Sequence, residues 1–202
     1  MKHAHLIVAV AASLVAVSTA AHAGGTLVAA ELQFLPSGEI HGDVGPFEGT
    51  SDTETAFAVA AIADYVVTPN ISVGLAPRFL FNIKGEDGDD SGTQIDLPVR
   101  LTGRFPVGRK AAVFAYLAPG YSIIFPPDWP EQLDNPAGFV LGGGGGGAFQ
   151  ISRNLAVVGE IGYTKGYQGG TETNSTPLGD ITVEWELDTS FFHLGVGIQT
   201  AL

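Results

Sequence analysis

The feature that most constrains this chain is a period of two. Ile71, Val73, Leu75, Phe79, Phe81 and Ile83 alternate with Ser72, Gly74, Arg78 and Asn82, and Ile95, Leu97, Val99, Leu101 and Phe105 alternate with Asp96, Arg100, Thr102 and Arg104. Val28, Ala30, Leu32 and Phe34 stand against Ala29, Glu31 and Gln33, and Phe192, Leu194, Val196 and Ile198 against Phe191, His193, Gly195, Gly197 and Gln199. Only an extended strand puts every second side chain on one face, so each of these stretches reads as a strand with one apolar and one mixed face.

Eight segments follow: about 25–35, 54–67, 71–83, 94–106, 111–124, 137–151, 155–167 and 188–201. Three connections are very short (Thr68–Asn70, Val107–Lys110, Ser152–Asn154) and four are long (36–53, 84–93, 125–136, 168–187), in strict alternation. In an antiparallel meander this gathers the short turns at one end and the long loops at the other. That asymmetry predicts an all-β fold, a transmembrane up-and-down antiparallel β-barrel of about eight strands.

The first residues read as an address. Lys2, an apolar run from Leu6 to Val17 and the small-x-small group Ala21-His22-Ala23 predict a cleavable signal peptide over 1–23, with the barrel domain over 24–202. The expected destination is the outer membrane. The chain has no cysteine, so a secreted product has no disulfides to stabilise it. A formal net charge of −12 argues against nucleic acid as a partner, because phosphates call for Lys and Arg.

Six consecutive glycines, Gly142–Gly147, lie between Leu141 and Ala148. Continuing the alternation through Phe139, Leu141, Phe149 and Ile151 makes them the middle of a strand, leaving lumen space for Phe114 and Tyr116 on the strand before. A phosphate-cradling loop would be followed by a Gly-Lys-Ser/Thr group and a helix, and neither follows here.

With this pattern the whole chain from residue 24 onward resembles the small eight-stranded outer-membrane barrels of Gram-negative bacteria, the OmpA/OmpX-like and opacity-type group. The last strand, "FFHLGVGIQTAL", is similar to the signal that the barrel-assembly machinery reads, with Gly195, Gly197, Ile198 and Leu202 as its elements. It ends on Leu202 where the family usually ends on an aromatic. The resemblance implies that machinery, outer-membrane lipid and lipopolysaccharide as partners, and no cofactor.

The inner faces are expected to carry Glu31, Asp64 and Glu160 against Arg78, Arg100 and Arg104. Charges in a narrow lumen are costly unless paired, so a salt-bridged plug is expected, with a pore constriction as the alternative. Aromatics near the strand ends, among them Phe57, Tyr65, Phe79, Phe81, Phe105, Tyr121, Phe139, Phe149, Tyr163 and Tyr167, fit interfacial girdles. Asp87, Asp89 and Ser91 fit the opening of a calcium loop, but Pro98 stands where a bidentate Glu would close it, so a solvated acidic tip is the better reading. The other acidic loops would associate at most with divalent cations bridging lipopolysaccharide.

No catalytic constellation is apparent. His193 and Ser190 face opposite sides of a strand, and His41 and Asp43 have no partner in sight, so the chain is not expected to be an enzyme. One stretch breaks the pattern: Ile181, Val183, Trp185 and Leu187 are apolar at odd positions, whereas even positions take over from Phe192. Either a bulge or an extra hairpin arm above the membrane explains that flip. The expected role is structural or interactive, with acidic loops outward. The rivals are a narrow pore and a soluble secreted lipocalin-like barrel.

Overall fold

The computed structural model describes residues 24–44, 47–84, 91–127, 135–176 and 179–202. The expected signal peptide, residues 1–23, lies outside the described residues, as do Asp87 and Asp89. Ten strands form one antiparallel sheet: β1 Thr26–Val44, β2 Phe47–Thr53, β3 Ala56–Thr68, β4 Ile71–Leu75, β5 Arg78–Ile83, β6 Gly92–Pro106, β7 Ala111–Phe125, β8 Ala137–Gln150, β9 Leu155–Thr176 and β10 Gly179–Ala201.

The ten strands make eight staves. β2 and β3 form one stave, pairing with the upper and lower halves of β1, and β4 and β5 form another, pairing in turn with β3 and β6. The break inside this second stave falls at Ala76-Pro77, where proline has no N–H to give; Ala61 N bonds Pro77 O and Ala76 N bonds Pro98 O, so the wall stays stitched. β10 pairs with β1 along its length, closing the ring with no free edge in the spanning region.

The expected faces are the observed ones except at Ile83, which the register shift at Asn82 turns into the interior. Leu97, Leu101, Leu117, Ile161 and Val196 point outward and are 50–59% exposed, while Glu31, Asp64, Asp96, Thr102, Arg100 and Glu160 are buried inside. A soluble barrel of lipocalin type would reverse this, with its apolar residues inside. An outward greasy belt around a polar interior is stable only with hydrocarbon as the solvent. The belt is edged by aromatics: Tyr65, Phe105 and Phe149 toward the short turns, and Phe57, Phe81, Tyr121, Phe139 and Tyr167 toward the other end, all exposed. At that upper edge Phe34, Phe57 and Phe81 run across neighbouring staves with centroids 5.8 and 5.9 Å apart.

Two of the expected long loops are strand instead. β1 runs on to Val44 and returns as β2, and β9 runs to Thr176 and returns as β10 from Gly179, so 36–53 and 168–187 are largely hairpin arms. The β9–β10 register is unbroken from Gly179↔Thr176 to Thr200↔Leu155, so β10 contains no bulge against β9. Trp185, Thr189, Phe191 and His193 are all buried on the inner side. The backbone therefore never changes parity. What changes is the solvent: within the membrane the outside is apolar and the inside polar, and above it the order reverses, as in any water-soluble sheet.

The bulge lies on the partner strand, in β1 between Phe34 and Ser37. A register shift in β5 between Phe81 and Ile83 accompanies Asn82, which has φ 62° and donates from Nδ2 to Thr55 O at 3.0 Å. Both irregularities fall where the wall leaves the apolar belt.

Candidate functional site: the lumen

The lumen is mainly polar or small at its inward positions, with a few aliphatic side chains such as Ile62, Val140 and Val158 among them. Its hub is Glu160 on β9. Arg100 Nη2 on β6 donates to Oε2 at 2.9 Å, and Gln33 Nε2 on β1 and the Tyr116 hydroxyl on β7 each lie 3.2 Å from Oε1. His193 Nε2 on β10 is 3.4 Å from the same oxygen and 3.0 Å from the Tyr116 hydroxyl. The Arg100 guanidinium also lies over the Tyr116 ring, 3.8 Å from its centroid. One carboxylate thus ties together five strands.

Toward the long-loop end, Arg78 Nε and Nη2 both donate to Asp96 Oδ2, the former at 3.0 Å, and Gln94 Nε2 donates to Asp96 Oδ1 at 2.7 Å. Toward the short turns, Asp64 accepts from the hydroxyls of Ser72 at 3.1 Å and Thr102 at 3.4 Å, and Arg104 Nη1 donates to Gln199 Oε1 at 3.2 Å. Above the Arg78–Asp96 pair an apolar cluster of Leu35, Ala56, Ala58, Leu80, Ile83 and Phe191 fills the interior, with Ile40 packed on it.

The structure sorts the six expected lumen charges unevenly. All six lie inside, but only Arg100 and Glu160 pair with each other. Arg78 takes Asp96, Asp64 takes hydroxyls, Arg104 takes an amide, and Glu31 is buried with Oε2 lacking a hydrogen-bond partner. Tyr116 is in the lumen space the sequence reserves for it, whereas the lumen roles of Asp96, Gln94, His193 and Gln33 are not among the sequence expectations. Their signal was present, since each lies at an inward position of the same period-two pattern.

Glycines make the room these groups occupy. A Cβ at Gly144 would lie 2.9 Å from the Tyr116 hydroxyl, one at Gly146 2.7 Å from Phe114 Cζ, and one at Gly162 2.6 Å from both Tyr116 and His193. Tyr116 and Phe114 sit directly opposite Gly144 and Gly146 in register. Gly195 and Gly197, part of the expected assembly signal, have a packing role as well: a Cβ at Gly195 would lie 2.8 Å from Glu160 Cγ, and one at Gly197 2.5 Å from Glu31 Cγ. Ile198 is outward in the belt, and Leu202 N bonds Thr26 O at 2.7 Å.

Between the Arg78 and Glu160 layers lies a cavity of about 40 Å³, lined by Gln33, Arg78, Asp96, Arg100, Tyr116, Glu160, Thr164 and His193 among others. That is space for a few water molecules and nothing larger. Outside the lumen, His41 Nδ1 is 2.8 Å from Thr50 Oγ1 and its Nε2 3.7 Å from Glu48, while Ser91 is exposed at the edge of β6.

Residues 7–199 match a protein family described as "Outer membrane protein beta-barrel domain". No curated protein sequence matches the chain. Among solved structures, the chain is similar to the outer membrane protein OprG from Pseudomonas aeruginosa, with 12% identity, a TM-score of 0.64, and 92% of this chain and 99% of that one covered. It is also similar to the outer membrane protein AlkL, solved in lipid bilayers, with 15% identity, a TM-score of 0.53, and 93% and 94% covered. At these identities the likeness concerns the fold.

Proposed function

Because this chain belongs to the outer membrane protein β-barrel domain family, we propose that it is a plugged, non-conducting barrel serving the envelope as a structural and surface-presenting element. The observation that carries this reading is how fully the polar groups of its lumen are shielded from bulk solvent. Groups lining an open water column are exposed, yet Gln94, Asp96 and Ser122 are 0% exposed and Asp64 and His193 2%. The buried Arg100–Glu160 pair spans the interior from β6 to β9, the buried Arg78–Asp96 pair bridges neighbouring staves, and the apolar cluster around Phe191 and Leu80 lies above them. The test is current through planar bilayers containing the refolded protein. Silence at protein densities that give steps with a known porin supports the plug; resolved unitary steps overturn it.

We read the Glu160, His193 and Tyr116 cluster as structural rather than catalytic. Its groups face a cavity of about 40 Å³, too small for a substrate. At the long-loop end, the arms present Glu39, Glu48, Asp52, Glu54 and Glu186 to solvent. These acids suit divalent cations that bridge lipopolysaccharide, and the last strand suits the barrel-assembly machinery. Calcium-dependent retention of lipopolysaccharide by the purified barrel, lost with chelator, is the expected outcome for the first.

A further inference from the structure

The two ends of the barrel differ in charge more than the net value suggests. The chain has 9 Lys and Arg against 21 Asp and Glu, yet the short-turn end carries no carboxylate side chain across 66–72, 104–112 or 148–156. Its mouth is a cavity of about 340 Å³ lined by Arg104, Arg109, Lys110 and Arg153, with Gln150 and Gln199 between them and no acidic residue in the wall. The size falls at the small end of ligand-binding clefts, roughly 300–1,000 Å³.

The backbones that carry the bases are tied to one another. Gln150 N bonds Lys110 O at 2.7 Å and Gln150 Nε2 bonds Arg153 O at 2.8 Å, so one residue clamps the β6–β7 and β8–β9 turns together. Asn70 does the same for Arg104, accepting from its N at 2.7 Å and donating to its O at 2.8 Å. Arg78 and Arg100 are paired with carboxylates, whereas among the described residues Arg104, Arg109, Lys110 and Arg153 form no ion pair. Arg104, at the floor, hydrogen-bonds the neutral Gln199 and feels the charge of Asp64 without an ion-pair contact, Asp64 accepting from Ser72 and Thr102.

Four cations around a concave mouth, the three at the rim with no carboxylate partner among the described residues, suit a multiply charged oxyanion. We propose that the short-turn mouth binds phosphate groups, with Arg109, Lys110 and Arg153 at the rim and Arg104 at the floor. The phosphate is either that of an anionic phospholipid in the leaflet beside the turns or that of a soluble phosphate compound. Binding here is independent of whether the lumen conducts.

The test uses the barrel in phosphatidylcholine nanodiscs, with amide NMR shifts followed as pyrophosphate is added. Saturable shifts at Gln150, Asn154 and Gln199 are expected. They weaken by roughly tenfold or more in the triple variant Arg109→Gln, Lys110→Gln, Arg153→Gln, whose substitutions fall on exposed turn tips. Arg104→Gln alone, which leaves the rim intact, weakens the shifts to a smaller extent. A second arm replaces part of the lipid with phosphatidylglycerol. Loss of the pyrophosphate shifts, with phosphatidylglycerol retained by the wild type but not the triple variant in native mass spectrometry, supports the site with lipid as its source. Shifts that persist support the site with a soluble source. No saturable shift and no lipid retention, or equal behaviour of wild type and triple variant, overturns the proposal.

Discussion

The hydroxyl of Tyr116 lies 3.0 Å from His193 Nε2, and it reaches that point only because positions 144 and 162 carry no side chain. The polar hub and the glycines around it are therefore one design: small residues on β8 and β9 accept large ones from β7 and β10.

Within the glycine run, adjacent positions should respond very unequally. Gly146→Ala drives a methyl onto Gly159 O and to 2.7 Å from Phe114, whereas at Gly147 the nearest atom is Ala112 O at 3.7 Å. Gly146→Ala is expected to destabilise by about 1–3 kcal/mol and Gly147→Ala by far less. Urea titration of the barrel in lipid, read by heat-modifiable gel migration, compares them. Equal tolerance at both positions would show that the run is not packed as described.

Removing one member of the buried hub should cost more than removing both. Arg100→Met leaves Glu160 without its cation, an expected loss of about 3–5 kcal/mol. The double variant with Glu160→Met should recover part of that loss. Strict additivity in a double-mutant cycle would mean that the pair does not interact.

The lipid face gives a third expectation. Leu117→Arg places a charge in the middle of the outward belt, at a residue 59% exposed, and should cost about 2–4 kcal/mol in a bilayer. The same change at Glu186, outside the belt, should be nearly neutral. Equal costs would contradict the placement of the belt.

Trp185 reports on the arm. It is 7% exposed and faces inward above the aromatic edge, so in a Trp129→Phe variant bromine-labelled lipids should leave its fluorescence unquenched. Strong quenching would place that part of β10 inside the bilayer.

Period two made the inside and outside of each stave readable from sequence, because the bilayer rewards strict alternation and penalises a slip of one residue. It identified Arg100 and Glu160 as inward, but not that Arg78 would choose Asp96. Pairing across a barrel depends on how far neighbouring strands are staggered, which no single strand records. The apparent parity flip near Asp188 left a bulge and a hairpin arm open for a different reason. A hydrophobic pattern states which side is buried only when the surrounding medium is known, and along β10 the medium changes while the strand does not. The arm in 36–53 was hidden because glycines and polar residues look the same in a solvated strand as in a loop, whereas the arm in 168–187 was one of the two readings its apolar residues offered.

The unbroken β9–β10 ladder gives the protruding arm a mechanical character. Its strands are continuous with the wall, and their hydrogen bonds lie across the strand direction. Tension applied at the tip by anything that grips it is therefore shared in shear by many bonds of the β8–β9 and β10–β1 seams, rather than unzipping them singly. Such an arm behaves as a mast stepped through the deck, and a ligand caught at its end would tug on the barrel's closing seam.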